Sequence, residues 1–497
     1  MKPKNLLILM SDEHNPKLMG CAGNPIVQTP NIDALARRGT RFTSAYTACP
    51  ICVPARAAFA VGKYVHQIGY WDNADAYDGR IPSWHHQLRD QGHEIVSIGK
   101  LHFRGAPGDD HGFTEEIVPM HVVDAVGDVK GLVRENIPRR RGGDKMAKLA
   151  GPGESAYTAY DRDIASRAQI WLHRKAQTQA GKPWVLFVSF VLPHFPLTAP
   201  PEWYYRYRRL QLPWPKLYEE DQRPNHPFLD DYANTVDYDT HFKSGEDVQR
   251  ALAGYYGLVS AMDENIGKVL AALEMSGLAD LTRVVYTSDH GDNLGARGLW
   301  GKSTMYEESA GVPLIVAGEG LPRDATVDTP AHHVDIRPFV FEGVGAVRPE
   351  AMGESAGGRP SAGAGDYPGV SVAALANGTR PERWVLSEYH ATGSVTGAFM
   401  IRNARYKYVH YVAYPAQLFD LQKDPEELAD RAGDPAYAGV REEAYRSLCG
   451  MLDPVAVDCR AKARQAGLLE KFGGREAALA RGDLGFTPAP GTQAQID

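Results

Sequence analysis

Asn5-Leu6-Leu7-Ile8-Leu9-Met10 runs without polar alternation into Ser11-Asp12-Glu13-His14. An unbroken apolar run of this length reads as a strand buried on both faces, as in a parallel sheet covered by helices. Acidic side chains just past the C-terminal end of such a strand stand where open α/β sheets collect ligand groups. Taken alone, the turn reads first as an ordinary Asp-containing loop.

The same arrangement recurs along the chain. Glu94–Ile98 leads through Gly99 into Lys100-Leu101-His102. Trp184–Val191 ends in Leu192-Pro193-His194-Phe195-Pro196, and Thr282–Ser288 ends in Asp289-His290-Gly291-Asp292-Asn293. Helical patterns separate these runs: Thr29–Gly39, N-capped and closed by glycine, then Ser83–Gln91, Asp161–Ala176 and Glu246–Ser276. Lys100 and His102 are two apart in the expected strand and share a face. Burying that pair costs desolvation unless an anion receives it, and a solvated edge strand is the plainer alternative. Asp289 and His290 diverge if extended, and meet on one ion only if the strand breaks, which Gly291 permits. Asp and His are ordinary ligands for divalent cations. His194, between two prolines, is held on a stiff loop suited to a fixed acid, against the plainer reading of a histidine packed under a turn.

Residues 104–152 and 200–242 lose periodicity and are expected to be irregular, the first as cover for a site or a solvated loop with no part in chemistry, the second as a substrate-facing wall or subunit contact. The Gly/Ala-rich stretch 343–369 reads as a linker. Beyond it, strands at 384–389, 398–401 and 406–411, a turn at Asp420 and a helix at 425–432 make a small α+β unit. The expectation is an α/β fold: a mostly parallel sheet sandwiched by helices over residues 1–342, then a C-terminal α+β subdomain over 370–497.

A formal net charge of −7 on 497 residues argues against nucleic acid or an anionic membrane as partner. The apolar run 184–192 is too short to span a bilayer. Five cysteines, few and odd in number, suit a reducing compartment. Met1-Lys2-Pro3-Lys4 leads straight into the first strand without a secretory leader pattern, so a cytoplasmic location is expected.

The remaining stretch is Ala48–Gly69, ACPICVPARAAFAVGKYVHQIG. Pro54 suits the first turn of a helix, the alanine-rich run continues it and Gly62 ends it. Cys52 would then sit at the N-terminus, where free N–H groups favour an anion, with Arg56 one turn on. A buried apolar cysteine is the plainer alternative.

Cys52-Val53-Pro54-Ala55-Arg56 followed by Gly62-Lys63 resembles the signature of the type I sulfatases of the alkaline phosphatase superfamily. TPNIDALARRGTRF (residues 29–42) resembles an early segment of the same family. The resemblance covers about the first 320 residues and KYVHYVAYPAQLFDLQKDPEE near the C-terminus, in order. Ala55 stands where serine is frequent and Lys63 where arginine is. His290 replaces a common asparagine and is more like the phosphonate monoester hydrolases and choline sulfatases.

The resemblance implies that Cys52 is oxidised by a formylglycine-generating enzyme, and that its hydrated aldehyde attacks the sulfur of a small-molecule sulfate ester. It implies one divalent metal, Ca²⁺ or Mn²⁺, held by Asp12, Asp289, His290 and residue 52, with Glu13 as ligand or hydrogen-bonding neighbour. Arg56, Lys100 and Lys302 would neutralise the ester, and His194 with Lys302 would assist the leaving alcohol. His102 would deprotonate the second diol oxygen, and Asn73 would donate a hydrogen bond to the ester. A homodimer or homotetramer, with contacts through the tail after Asp453, is expected by the same likeness. Trp71, Trp300 and the Tyr-rich 203–218 stretch are candidates to hold an aryl or choline leaving group. Two rival functions stay open: a phosphonate monoester or phosphodiester hydrolase using this site, and a non-catalytic metal-binding relative whose cysteine stays a thiol.

Overall fold

The computed structural model describes residues 2–178, 181–351 and 367–494. Its centre is an eight-stranded sheet. The strands, in chain order, are β1 (Asn5–Asp12), β2 (Gly39–Phe42), β3 (Ile95–Lys100), β4 (Glu115–Met120), β5 (Val185–Pro193), β6 (Thr282–Ser288), β7 (Leu314–Ala317) and β8 (Ala325–Val327). They lie in the order β8-β2-β7-β6-β1-β5-β3-β4. Only β7 runs against its neighbours, so the sheet is mostly parallel, as expected. β1 lies between β5 and β6, and its Leu6 to Met10 are completely buried, which is why no polar residue interrupts them.

Helices cover both faces. Ala156–Ala176 and the long helix Gly245–Met275 pack on one side with Leu7, Leu9, Val188 and Tyr286. On the other, Cys52–Val61 and Ile336–Val344 join Leu6, Ile8, Phe187 and Val285. A second, antiparallel sheet follows: β9 (Val385–Tyr389), β10 (Ala398–Arg402), β11 (Tyr406–Tyr411) and β12 (Gln417–Asp420), paired in that order. It docks against the segment before Cys52, where Glu388 N–H donates to the Ala48 carbonyl and the Ser387 hydroxyl to that of Thr47.

Several local expectations need correction. Gly39 does not close the first helix, Pro30–Arg37; it opens β2. A Cβ there would lie 2.2 Å from the Val316 carbonyl oxygen of β7, so strand approach demands the glycine. The 104–152 insertion contains β4, whose weak alternation hides an edge strand. Residues 200–242 contain the helices Pro201–Arg208 and Pro227–Val236, each started by a proline. The expected helix at 425–432 is a series of turns. Asp424 and Asp430 side chains capture the Ala429, Leu418 and Ala432 N–H groups, and Glu427 has φ +54°. The helices come later, at Ala438–Met451, Pro454–Phe472 and Gly474–Ala480. Most of the 343–369 stretch lies outside the described residues.

Candidate active site

The C-terminal ends of β1, β3, β5 and β6 form one edge of the sheet, and the polar residues that follow them meet there. Asp12 is the last residue of β1 and Lys100 of β3. Both strands lose register at this point, between Met10 and Asp12 and between Ile98 and Lys100. Gly99, at φ +102°, makes the second irregularity; a Cβ there would strike the Ser189 carbonyl at 2.2 Å. The shared-face argument for Lys100 and His102 does not hold, because β3 ends at Lys100 and His102 has φ +56°. The two converge on the site through that turn instead.

Cys52 is the first residue of the helix Cys52–Val61, with Pro54 in its first turn and Gly62 in the left-handed conformation after it. Its Sγ lies 3.6 Å from Asp12 Oδ1, 3.2 Å from His290 Nε2 and 3.3 Å from Lys302 Nζ. Asp12, Cys52, Asp289 and His290 each offer a ligand atom within 4.8 Å of the others, all four buried. The strand does break after β6. Gly291 matters there by close approach, since a Cβ would lie 2.0 Å from the Glu308 carbonyl oxygen. His290 Nδ1 lies 3.0 Å from the Gly291 carbonyl oxygen; donating its proton there leaves the Nε2 lone pair facing Asp12, Asp289 and Sγ. Two carboxylates and a directed imidazole are a suitable donor set for a divalent cation.

Glu13, at φ +68°, is not one of those four, but it meets Asp12 and His194 with one ligand atom of each within 4.8 Å of the others. Its N–H donates to Asp289 Oδ1, and its carboxylate faces Lys302 Nζ at 2.9 Å and His194 Nε2 at 3.3 Å. Burial, outweighing Lys302, raises Glu13 to about 8. Burial would raise Asp12 too, but the charges of Lys100, His194, Lys302 and Arg56 hold it well below the usual carboxylate range. Arg56 is locked by Asp289 Oδ2 at 2.8 Å, the Lys100 carbonyl at 2.8 Å and Ser189 Oγ at 2.9 Å. Its buried Nη2 has no hydrogen-bond partner among the described residues and lies 3.8 Å from Asp12 Oδ2. Burial disfavours the Lys302 cation, yet the surrounding Cys52, Glu13 and Asp12 hold it well above its ordinary value. Burial, then the Asp12 carboxylate, pushes the Cys52 thiol up to about 12. Burial also holds His102 and His194 well below 6.5, so both are neutral imidazoles at pH 7.

A cleft of about 140 Å³ opens over Cys52. Asn73 lines it and accepts the Val53 N–H at 3.2 Å through Oδ1, capping the helix that carries Cys52. The walls are Phe195, Tyr232, Tyr238, Arg140 and the segment 483–487. Trp71 and Trp300 are buried packing residues, against His390 and Phe242, and residues 203–218 do not line the cleft.

Sequence reasoning missed the tail's part in the site. Thr487 Oγ1 lies 2.9 Å from His102 Nε2, Tyr157 donates its hydroxyl proton to the Thr487 carbonyl, and Phe486 packs on Tyr157 and Phe195. Asp483 anchors the segment through Lys130 and Arg140. The signal was the apolar pair Leu484 and Phe486 in an otherwise small and polar terminus.

The sulfatase family profile matches residues 4–346, which carry the whole candidate metal and catalytic set but not the tail. The chain belongs to the sulfatase family. The profile of the N-sulphoglucosamine sulphohydrolase C-terminal region matches residues 295–452. The chain is 32% identical to the choline-sulfatase of Rhizobium meliloti (strain 1021) over 87% of this chain and 83% of that protein. It is 30% identical to arylsulfatase K of Danio rerio, over 86% of this chain and 80% of that protein. The solved phosphonate monoester hydrolase of Silicibacter pomeroyi shares the fold at a TM-score of 0.71 and 24% identity, covering 90% of this chain and 95% of that one. This is the sulfatase fold, a mostly parallel sheet between helices with a small C-terminal antiparallel sheet. Among the described residues no helix is long and apolar enough to cross a membrane.

Proposed function

We propose that this chain hydrolyses sulfate monoesters of small alcohols or phenols, with Cys52 matured to formylglycine as the nucleophilic residue. The observation that carries the reading is the setting of Cys52: at a helix N-terminus, within 3.6 Å of Asp12, His290 and Lys302, with its thiol proton held far above neutral pH. A thiol offers one attacking atom, whereas the hydrated aldehyde brings two hydroxyls to the same place, one to attack and one whose deprotonation releases the sulfate. A divalent ion, Ca²⁺ or Mn²⁺, fits Asp12, Asp289, His290 and residue 52, and would supply Lewis-acid polarisation and charge neutralisation there.

The chain's own groups divide the remaining work. Lys302, kept cationic and 3.3 Å from the residue 52 side chain, neutralises ester oxygen charge on the cleft side. Arg56 and Lys100 hold Asp289 and Asp12 from behind, so they orient the ligand carboxylates as well as adding positive charge. The helix N-terminus adds N–H dipoles of the same sign. Neutral His102 accepts a proton at the cleft floor; its Thr487 partner can donate or accept, so the ring can change tautomer as it does so. His194 Nδ1 sits 2.6 Å from the Phe195 carbonyl oxygen, so its Nδ1–H is directed there and Nε2 faces Glu13. The Glu13 carboxylate bridges Lys302 Nζ at 2.9 Å and His194 Nε2 at 3.3 Å, and so positions both beside the leaving group. Glu13 borders the metal set, since one ligand atom each of Asp12, Glu13 and His194 lies within 4.8 Å of the others. The fold division into a catalytic unit over 1–342 and a C-terminal unit over 370–497, and a cytoplasmic homo-oligomer, belong to the same reading.

Turnover of an aryl sulfate, a choline-type alkyl sulfate and a phenyl phosphonate monoester by metal-loaded enzyme, beside Cys52→Ala, tests the proposal. Sulfate ester turnover that disappears in Cys52→Ala is the expected result. A preference for the phosphonate by more than tenfold in kcat/KM would replace the sulfatase reading with its closest rival. No turnover of any ester by fully matured protein would leave the non-catalytic reading.

A further inference from the structure

Three side chains meet at the sheet's free edge without a part in the chemistry above. Glu116 lies in β4, His121 directly follows that strand, and His111 comes from the loop before it. His111 Nδ1 is 2.9 Å from Glu116 Oε1, and His121 Nε2 is 3.4 Å from Glu116 Oε2. One ligand atom from each of the three lies within 4.8 Å of the others. Tetrahedral nitrogen and oxygen ligands bonded to zinc at about 2.0–2.2 Å stand roughly 3.3–3.5 Å apart, so these spacings need little adjustment.

The surroundings hold the rings in that arrangement. Gly105 has φ +65°, and a Cβ there would come within 2.5 Å of the His121 ring, so the loop lies against the imidazole only because position 105 has no side chain. The His111 ring packs on Phe103 and Tyr77 at 5.2 and 6.2 Å between centroids. Among the described residues His111 Nε2 and His121 Nδ1 have no hydrogen-bond partner, so the polar contact of each ring there is at this carboxylate.

We propose that His111, Glu116 and His121 form a second metal site, distinct from the Cys52 group, that takes a zinc-class divalent ion and pins the 104–114 loop to β4. Two imidazoles with one carboxylate select zinc and the later transition metals over Ca²⁺, which asks for six to eight oxygens. The partly exposed His121 side leaves a fourth position to water. Such a tie would also close the sheet's open edge, where an unpaired strand otherwise faces solvent. The site lies one ring away from Phe103, the neighbour of His102, and depends on none of the catalytic assignments.

The test uses intact enzyme, dialysed with excess Zn²⁺ and then freed of unbound ion, with bound zinc counted by elemental mass spectrometry in wild type, His121→Gln and His111→Gln. Zinc taken up at Cys52 is common to all three, so the difference isolates this site. The expected result is about one equivalent fewer in each variant, with the visible bands of four-coordinate Co²⁺ present in wild type and weakened in both. Equal zinc content in wild type and in a folded variant overturns the proposal, as does a Co²⁺ spectrum unchanged by His121→Gln. If His111→Gln, the more buried change, fails to fold, His121→Gln decides alone.

Discussion

Thr487 is ten residues from the chain end, yet its hydroxyl is the hydrogen-bond partner of His102 Nε2 at 2.9 Å. Thr487→Val keeps the β-branched shape and removes that bond. A neutral hydrogen bond of this kind contributes about 0.5–1.5 kcal/mol, which corresponds to roughly 2–13-fold in rate where it acts on the transition state. Among the described residues His102 Nδ1 has no hydrogen-bond partner, so Thr487 is the ring's polar anchor there, and the upper half of that range, about 5–13-fold in kcat, is expected. Thr487→Ser restores the hydroxyl and should recover at least half of the loss. Steady-state kinetics with an aryl sulfate, beside thermal melts, separate this from a folding defect: melting of all three proteins should agree closely, because one rim hydrogen bond is lost from a large core. Thr487→Val with wild-type kcat would refute the reasoning. So would equal damage from Val and Ser, since the hydroxyl would then not be the cause.

Other expected outcomes follow from the same geometry. Arg56→Lys forfeits at least one of the three bonds to Asp289, Lys100 and Ser189; denaturant titration should show a loss of about 2–4 kcal/mol, and turnover should fall about a hundredfold or more. Gly291→Ala places a Cβ 2.0 Å from the Glu308 carbonyl oxygen, so the Asp289-His290 turn must shift, and metal content by elemental analysis should fall together with activity. Burial tends to raise Glu388, but the His66 charge and hydrogen bonds from His390 and His66 outweigh it and bring the carboxyl from 4.5 to about 2. Its contribution is therefore complete above pH 4.5 and lost as pH falls toward 2. Melting of wild type against Glu388→Gln across pH 2–6 should converge at the acid end, after a difference of the order of 3 kcal/mol at pH 6. Removal of divalent ions by chelation should abolish turnover, and Mn²⁺ or Ca²⁺ should restore it in wild type but not in Asp289→Asn.

Much of the site was legible because its residues follow strands whose hydrophobic runs are unmistakable. Asp12, Lys100, His194 and Asp289 each stand at the end of such a run, and a parallel sheet brings those ends together whatever the loops do. What escaped the sequence depends on close approach and on partners distant in the chain. Gly39 read as a helix stop because nothing local shows that β7 will pass within van der Waals contact. Residues 425–432 had helix-forming composition, but Asp424 and Asp430 bind backbone N–H groups that a helix would need. For Glu13 the sequence left ligand and hydrogen-bonding neighbour both open, because only the fold shows its left-handed backbone and its carboxylate beside Lys302 and His194. The contact of Thr487 with His102 spans most of the chain, and no periodicity encodes such a pairing.

The maturation of Cys52 underlies every catalytic step assigned above, and the mass of the proteolytic peptide spanning residues 49–56 reads it directly. Protein made beside a formylglycine-generating enzyme should carry CHO in place of CH₂SH at residue 52, with specific activity rising in proportion to the converted fraction. Fully active protein whose residue 52 is an unmodified thiol would contradict the account.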